Sequence, residues 1–255
     1  MLNALILKKI SPLFAIAALS LLVLLPVYSE ENPEQSESVN VADLVRSLAQ
    51  RQRGLNSFSF AEVIQATTGN HIIPVNAGAD KKTLKIISRC ISRALRNCND
   101  PNNPIHKTKR INEASSFVES ALIEQLNTVE GWSAGIPKTK DGDEQRSGYP
   151  DIRLSLPDGK IFYLDPKLFA PDSKNSSFRT FYYEPKIETN KVNEDATHLL
   201  VGIQHNGKVG KELHLETWEL VDLSKLLIQL KAEFQASNRD LYKDENIVSS
   251  GKPAP

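Results

Sequence analysis

The chain has 255 residues, with 31 Lys+Arg against 31 Asp+Glu and a sequence pI near 7.0. That balance excludes the strongly basic composition by which a whole domain attracts a polyanion, so any contact with nucleic acid has to come from local patches. An apolar fraction of 40% is ordinary for a globular protein, and the length allows one large domain or two small ones.

Residues 1–29 read as a secretory signal: Lys8 and Lys9 form the positive region, Leu13 to Leu25 the apolar run, and Val27-Tyr28-Ser29 the small-residue end, with cleavage expected after Ser29. An uncleaved anchor is the alternative, and either reading predicts an exported chain, periplasmic or secreted. Residues 30–40 are acidic and rich in Ser and Pro, a disordered leader. A helical N-terminal region is expected over 41–110. Its first helix runs from Val41 to about Arg51, with Val41, Leu44, Val45 and Leu48 on one face. Ser59-Phe60-Ala61-Glu62 has the form of a capping box opening a short helix through Ala66, and His71-Ile72-Ile73-Pro74-Val75 follows as an extended piece. His71 has no second ligand type at metal spacing and reads as a loop residue.

Asp80 is placed to cap a helix from Lys81 to about Asn97. Leu84, Ile87, Ile91, Ala94, Leu95 and Cys98 share one side; Lys82, Lys85, Arg89, Arg93 and Arg96 make a stripe on the other. Such a stripe can neutralise phosphates without reading sequence, or it can be a solvated face. Lys107, Lys109 and Arg110 follow it and favour the phosphate reading. Cys90 and Cys98 on one helix lie about 12 Å apart along its axis, too far to bridge, so two buried thiols are expected unless the helix unwinds. Ile111 to about Thr128 is a further helix, Gly131 to Gly135 leads into a first strand, and Lys138 to Ser147 is a charged loop.

Ile152-Arg153-Leu154-Ser155-Leu156, Pro157-Asp158-Gly159 and Lys160-Ile161-Phe162-Tyr163-Leu164 together predict a β-hairpin with a three-residue loop. In that register Leu154 meets Phe162, Ile152 meets Leu164 and Asp151 meets Asp165. One face collects Ile152, Leu154, Leu156, Phe162 and Leu164. The other collects Asp151, Arg153, Ser155, Ile161, Tyr163, Asp165 and Lys167. Opposed residues have Cβ atoms roughly 4.5–5.5 Å apart, so the two carboxylates need a cation or a shared proton. A hard divalent ion such as Mg²⁺ is the simplest partner.

After the hairpin, Ser177 to Tyr183 reads as a third strand carrying Arg179 in an aromatic run, suited to stacking or phosphate contact. Lys191 to Thr197 is a polar connector, His198 to Gln204 an apolar strand, and Leu213 to Val221 another. His198 and His205 face opposite sides of their strand and make no ligand pair. Leu223 to about Ala236 is expected to close the fold as a helix, with Leu226, Leu227, Leu230 and Phe234 inward, and 243–255 to fray as a flexible tail.

Pro150-Asp151, the hairpin, then Asp165-Pro166-Lys167 resembles the PD-(D/E)xK nuclease superfamily, which includes many type II restriction endonucleases. The resemblance covers 111–242, with a looser extension from Phe60 onward. It implies an α/β (α+β) fold, a mixed sheet of about five strands flanked by helices, and a metal-dependent endonuclease. It implies Asp151 and Asp165 as ligands of Mg²⁺ (or Mn²⁺). It implies Lys167 as the residue that orients water and offsets charge on the phosphorane. A glutamate on the preceding helix joins the site in this superfamily, and Glu119, with Leu122 and Leu126 three and seven residues on, fits; Glu113 and Glu124 compete. The implied partner is DNA, double-stranded by expectation, with homodimerisation left open. Pro166 stands where the family has a non-proline residue, and proline is confined to strand edges, strand starts or bulges. It favours the alternative, an exported binding module without catalysis on the same fold.

Overall fold

The computed structural model describes residues 42–46, 56–177, 181–186, 188–231 and 235–252. The signal and leader expected over 1–40 lie outside them, as do residues 41 and 47–51 of the first predicted helix. Residues 42–46, in a unit of their own, are helical and exposed, with Arg46 Nη1 2.9 Å from Asp43 Oδ1.

In the second unit the elements run β1 (Asn56–Ser59), α1 (Phe60–Thr68), α2 (Lys81–Cys98), α3 (Ile111–Asn127), β2 (Ser133–Gly135), β3 (Ile152–Ser155), β4 (Ile161–Phe169), β5 (Thr197–His205), β6 (Leu215–Asp222), β7 (Leu227–Gln229) and α4 (Asn238–Leu241). The main sheet has five strands in the order β2-β3-β4-β5-β6; β4 and β5 are parallel and the other pairs antiparallel.

The hairpin forms as its sequence requires. Ile152 pairs with Leu164 and Leu154 with Phe162. Leu156 N donates to Lys160 O at 3.0 Å, and Gly159 takes φ +82°, the left-handed conformation that closes the loop at little steric cost. The even-numbered side chains Ile152, Leu154, Phe162 and Leu164 join Leu199, Val201 and Ile203 in one buried layer. Ile87, Ile91, Ala94 and Leu95 of α2 and Ala114, Val118, Leu122 and Leu126 of α3 cover that layer. Each of the Val, Leu, Ile and Phe side chains among them contributes about 1.5–3 kcal/mol by leaving water. The α2 helix, which falls in the helical N-terminal region expected over 41–110, shares the core of the sheet.

The other face of the hairpin is covered as well. Phe60 and Ile64 of α1 pack with Tyr163, Val192, Ala196 and Leu223, and Tyr163 is fully buried. Phe60 meets Phe181, Tyr149 and Tyr183 edge-on at 5.1–5.6 Å. A β-strand alternation therefore hides two buried faces of unequal polarity here.

Several expectations change. Leu223 to Ala236 does not form a helix: Leu223–Lys225 is a 3₁₀ turn capped by Asp222, and Leu227–Gln229 is a strand paired with β1, while 232–234 lie outside the described residues. Leu227 and Leu230 are 62% and 57% exposed, so the leucine spacing there did not mark a core face. Ser59 ends β1 and makes no side-chain cap, although α1 starts where expected and extends to Thr68. Asp80 does not cap α2 with its side chain either. Its Oδ2 accepts from Asn76 N (2.8 Å) and its Oδ1 from Lys160 Nζ (2.7 Å). Phe181 to Tyr183, predicted to end a strand begun at Ser177, have no regular structure, and Phe178-Arg179-Thr180 lie outside the described residues. Cys90 and Cys98 are free and buried; burial pushes the Cys98 thiol up to about 11. Among the described residues no helix is long and apolar enough to cross a membrane.

Candidate active site

The site is built at the end of the hairpin remote from its turn. Asp151 directly precedes β3, while Asp165 and Lys167 lie two residues apart on β4 and so project from the same face. Lys167 Nζ stands between the two carboxylates, 2.8 Å from Asp165 Oδ2 and 3.2 Å from Asp151 Oδ2. Asp165 is 2% exposed, and its Oδ2, although close to the ammonium, has no partner in hydrogen-bonding geometry. Burial pushes its ionisation up from 3.8 to about 7; the Lys167 charge opposes that rise and Asp151 adds to it. The two carboxylates draw the Lys167 ammonium to a higher pKa against its own burial.

Glu119 reaches the same electrostatic neighbourhood from α3. Burial raises its pKa first and the Asp151 charge next, with Arg146, Lys167 and Lys191 pulling it back. Its Oε2 lies 3.8 Å from Arg146 Nη1. The competing glutamates are elsewhere: Glu113 accepts from Lys109 N at the helix start and Glu124 is exposed. Among the described residues no three His, Cys, Asp or Glu side chains converge in a metal-holding group. The acidic pair with Lys167 is therefore the core of the site, with Glu119 at its border.

The basic stripe is not brought to this place. Lys82, Lys85, Arg89, Arg93 and Arg96 are exposed on the outer side of α2, the helix covering the even-numbered face of β4, whereas Asp165 and Lys167 belong to the odd-numbered face. None of the five makes an ion pair among the described residues. Arg179 lies outside the described residues.

Three features went unseen in the sequence. Lys191, expected in a polar connector, is 1% exposed and donates to Gln145 O at 3.0 Å. Arg153 grips Glu194 through Nε and Nη2, and Glu194 also accepts from Tyr163 OH at 2.8 Å. His198, fully buried, meets Tyr149 OH through Nδ1 at 2.6 Å. Burial presses its pKa down to about 3, so the imidazole is neutral. No local pattern marks any of these partners, because each lies thirty or more residues away in the chain.

A hairpin presenting two acids and a lysine from one end, inside a mixed five-stranded sheet flanked by helices, is the restriction-endonuclease-like arrangement. Comparison with known sequences agrees. A sequence model of the family described as "Type II restriction enzyme MjaV family" matches residues 54–245. The type II restriction enzyme MjaV of Methanocaldococcus jannaschii is 33% identical over 219 residues, which span 79% of this chain and 92% of that protein. The chain belongs to the type II restriction enzyme MjaV family, a family of endonucleases that act on DNA.

Proposed function

We propose that the chain hydrolyses DNA phosphodiester bonds with a divalent metal, Mg²⁺ or Mn²⁺, held by Asp151 and Asp165. The observation that carries the reading is the buried Asp165 carboxyl, which faces a second carboxylate, that of Asp151, across the single ammonium of Lys167. Two carboxylates sharing one ammonium in a buried place are costly to ionise together unless further positive charge joins them. Two hard carboxylate oxygens fit a hard dication, so the donor set suits Mg²⁺ or Mn²⁺. When bound, such an ion supplies Lewis acidity to the phosphate and acidifies a water.

The chain's own groups do the rest. Asp151 and Asp165 hold charge and position, the first aimed by the start of β3 and the second by β4. Lys167, whose ammonium bridges the acids, is released toward the attacking water and the non-bridging phosphate oxygen, where negative charge grows. Glu119, drawn toward the neutral form by burial and Asp151, assists through metal or water.

Export is a further part of the proposal. It is supported by Lys8-Lys9, the apolar run to Leu25 and the small residues before Glu30, and N-terminal sequencing of protein recovered from producing cells checks it.

The test is to incubate the purified chain with plasmid and with single-stranded DNA, in Mg²⁺ and in EDTA. Cutting in Mg²⁺ alone, abolished by Asp151→Asn or Asp165→Asn in folded protein, is expected. Asparagine variants that cut as fast as wild type would overturn the assignment.

A further inference from the structure

Asp165 and Lys167 lie inside β4 and are held by its pairing with β5. Asp151 has no such support. The last pair of the β3–β4 ladder is Ile152–Leu164, so Asp151 stands beyond it, where the chain arrives from the long connection after β2. Pro150, just before it, has no N–H to offer. Among the described residues a single hydrogen bond ties residues 148–150 to the rest of the chain. It joins the Tyr149 hydroxyl to Nδ1 of His198 on β5, at 2.6 Å.

Both ends of that bond are fixed by packing. His198 is fully buried; its ring stacks on Tyr149 at 5.8 Å and meets Tyr163 edge-on at 5.0 Å. The Tyr149 ring in turn meets Phe60, Phe181 and Tyr183 edge-on at 5.4–6.0 Å. The register puts His198 beside Tyr163 and Leu200 beside Asp165, so His198 belongs to the face that carries Asp165, one step before it. The hydrogen bonding also gives the direction of the bond. With the Tyr149 hydroxyl donating, one polar group stays unpaired, the buried Nε2–H of His198. The other tautomer would leave both Nε2 and the hydroxyl proton unpaired among the described residues. Packing alone has no use for a buried imidazole with an orphan nitrogen, since an apolar side chain fills such space without that cost. What only the imidazole supplies here is the acceptor for Tyr149.

We propose that His198 is a positioning residue of the active site, which holds Tyr149 through Nδ1 and thereby keeps Asp151 level with Asp165. The inference rests on the metallonuclease reading and names what sets the spacing of its two acids. Like charges push Asp151 and Asp165 apart, and Asp151, outside the ladder, is the one free to yield. An anchor two residues before it, on the strand that also holds Asp165, opposes that movement.

The experiment measures Mn²⁺ affinity of the full chain by calorimetry, alongside the Mg²⁺ dependence of plasmid cleavage, with folding checked by circular dichroism. Tyr149→Phe removes only the hydroxyl and keeps the ring; His198→Leu removes the acceptor. Each should weaken Mn²⁺ binding about tenfold, as loss of a group that orients a metal ligand does. The double variant should bind no more weakly than the weaker single one, because both changes break one bond. In His198→Asn the amide oxygen takes the place of Nδ1 and should restore most of the affinity. Folded Tyr149→Phe protein that binds Mn²⁺ as tightly as wild type would overturn the inference. So would losses that add in the double variant, or a folded asparagine form no better than the leucine form. If neither Mn²⁺ binding nor cleavage responds to Asp151→Asn, the metallonuclease reading falls, and this inference with it.

Discussion

Asp165→Asn turns the electrostatics of the site into a measurable stability change. The Asp165 carboxyl is 2% exposed and its ionisation is pushed up from 3.8 to about 7. A rise of about three pK units corresponds to about 4 kcal/mol in favour of the protonated form. Between those two values the folded chain holds a proton that the unfolded chain has released. Stability contributed at low pH is therefore lost as pH rises through the window, by up to about 4 kcal/mol above it. Asparagine mimics the protonated carboxyl and removes that loss. It also takes away one of the two carboxylates around Lys167, leaving Asp151 Oδ2 at 3.2 Å. The lost partner offsets part of the gain, so a net of about 2 kcal/mol is a reasonable expectation at alkaline pH. At about 2–4 °C per kcal/mol for a chain of this size, the metal-free variant should melt about 4–8 °C above wild type at pH 8.5. The difference should shrink steadily toward pH 4. The assay is thermal unfolding in EDTA followed by circular dichroism across that range. Addition of Mg²⁺ should then raise wild type alone and narrow the gap. A melting difference that does not vary with pH, or a wild type more stable than the variant at pH 8.5, would refute the reasoning.

Lys167→Ala should lower single-turnover cleavage by about two to three orders of magnitude, or roughly 3–4 kcal/mol, the loss typical of a group that stabilises transition-state charge. Metal affinity measured by calorimetry should stay level or rise, since a nearby cation has gone; joint loss of metal binding and cleavage would make Lys167 only a structural partner of Asp165. Replacing Lys85, Arg89 and Arg96 with Gln tests the exposed stripe of α2. If it contacts phosphates, the slope of log affinity against log salt should flatten by up to about 3 for duplex DNA, whereas an unchanged slope returns the stripe to a solvated face.

The hairpin was legible because two independent local rules agree there: Pro-Asp-Gly specifies the loop, and the period of two specifies which residues are buried. Ile152 opposite Leu164 follows from either rule. Glu119 was legible only by its leucine spacing, and what separates it from Glu124 is the approach of α3 to Asp151, a long-range fact. The 223–236 segment misled because Leu223, Leu226, Leu227 and Leu230 fit a helical stripe, yet Leu226 O is taken by Phe60 N and Leu227–Gln229 pairs with β1. Pairing with a strand some 170 residues earlier leaves no trace in the window where periodicity is read. Lys191 is the same case in a polar form. Its surroundings in sequence, Asn190 and Asn193, look solvated, and its burial follows from where the connector crosses the sheet.

Pro166 looked like the residue least compatible with this site, and the register explains why it is tolerated. It sits inside the nine-residue central strand β4, where proline would ordinarily break a ladder. Leu156 N donates to Lys160 O, so the even-numbered residues of β4 turn their backbone groups toward β3. Pro166 is even-numbered, and its missing N–H faces β3. Continuing the pairing from Ile152–Leu164 places Pro150 opposite Pro166, beyond the start of β3 at Ile152. No ladder bond from residue 166 is lost at that point, because no strand remains to accept it. The odd-numbered residues turn toward β5, and the β4–β5 pairing continues unbroken through Asp165–Leu200, Pro166–Val201 and Lys167–Gly202. Asp165 and Lys167 are therefore held by β5 alone, on the side where the strand is regular. The two prolines end the β3–β4 ladder on either side at the same level, which opens the sheet at the position where Asp151 and Asp165 meet Lys167.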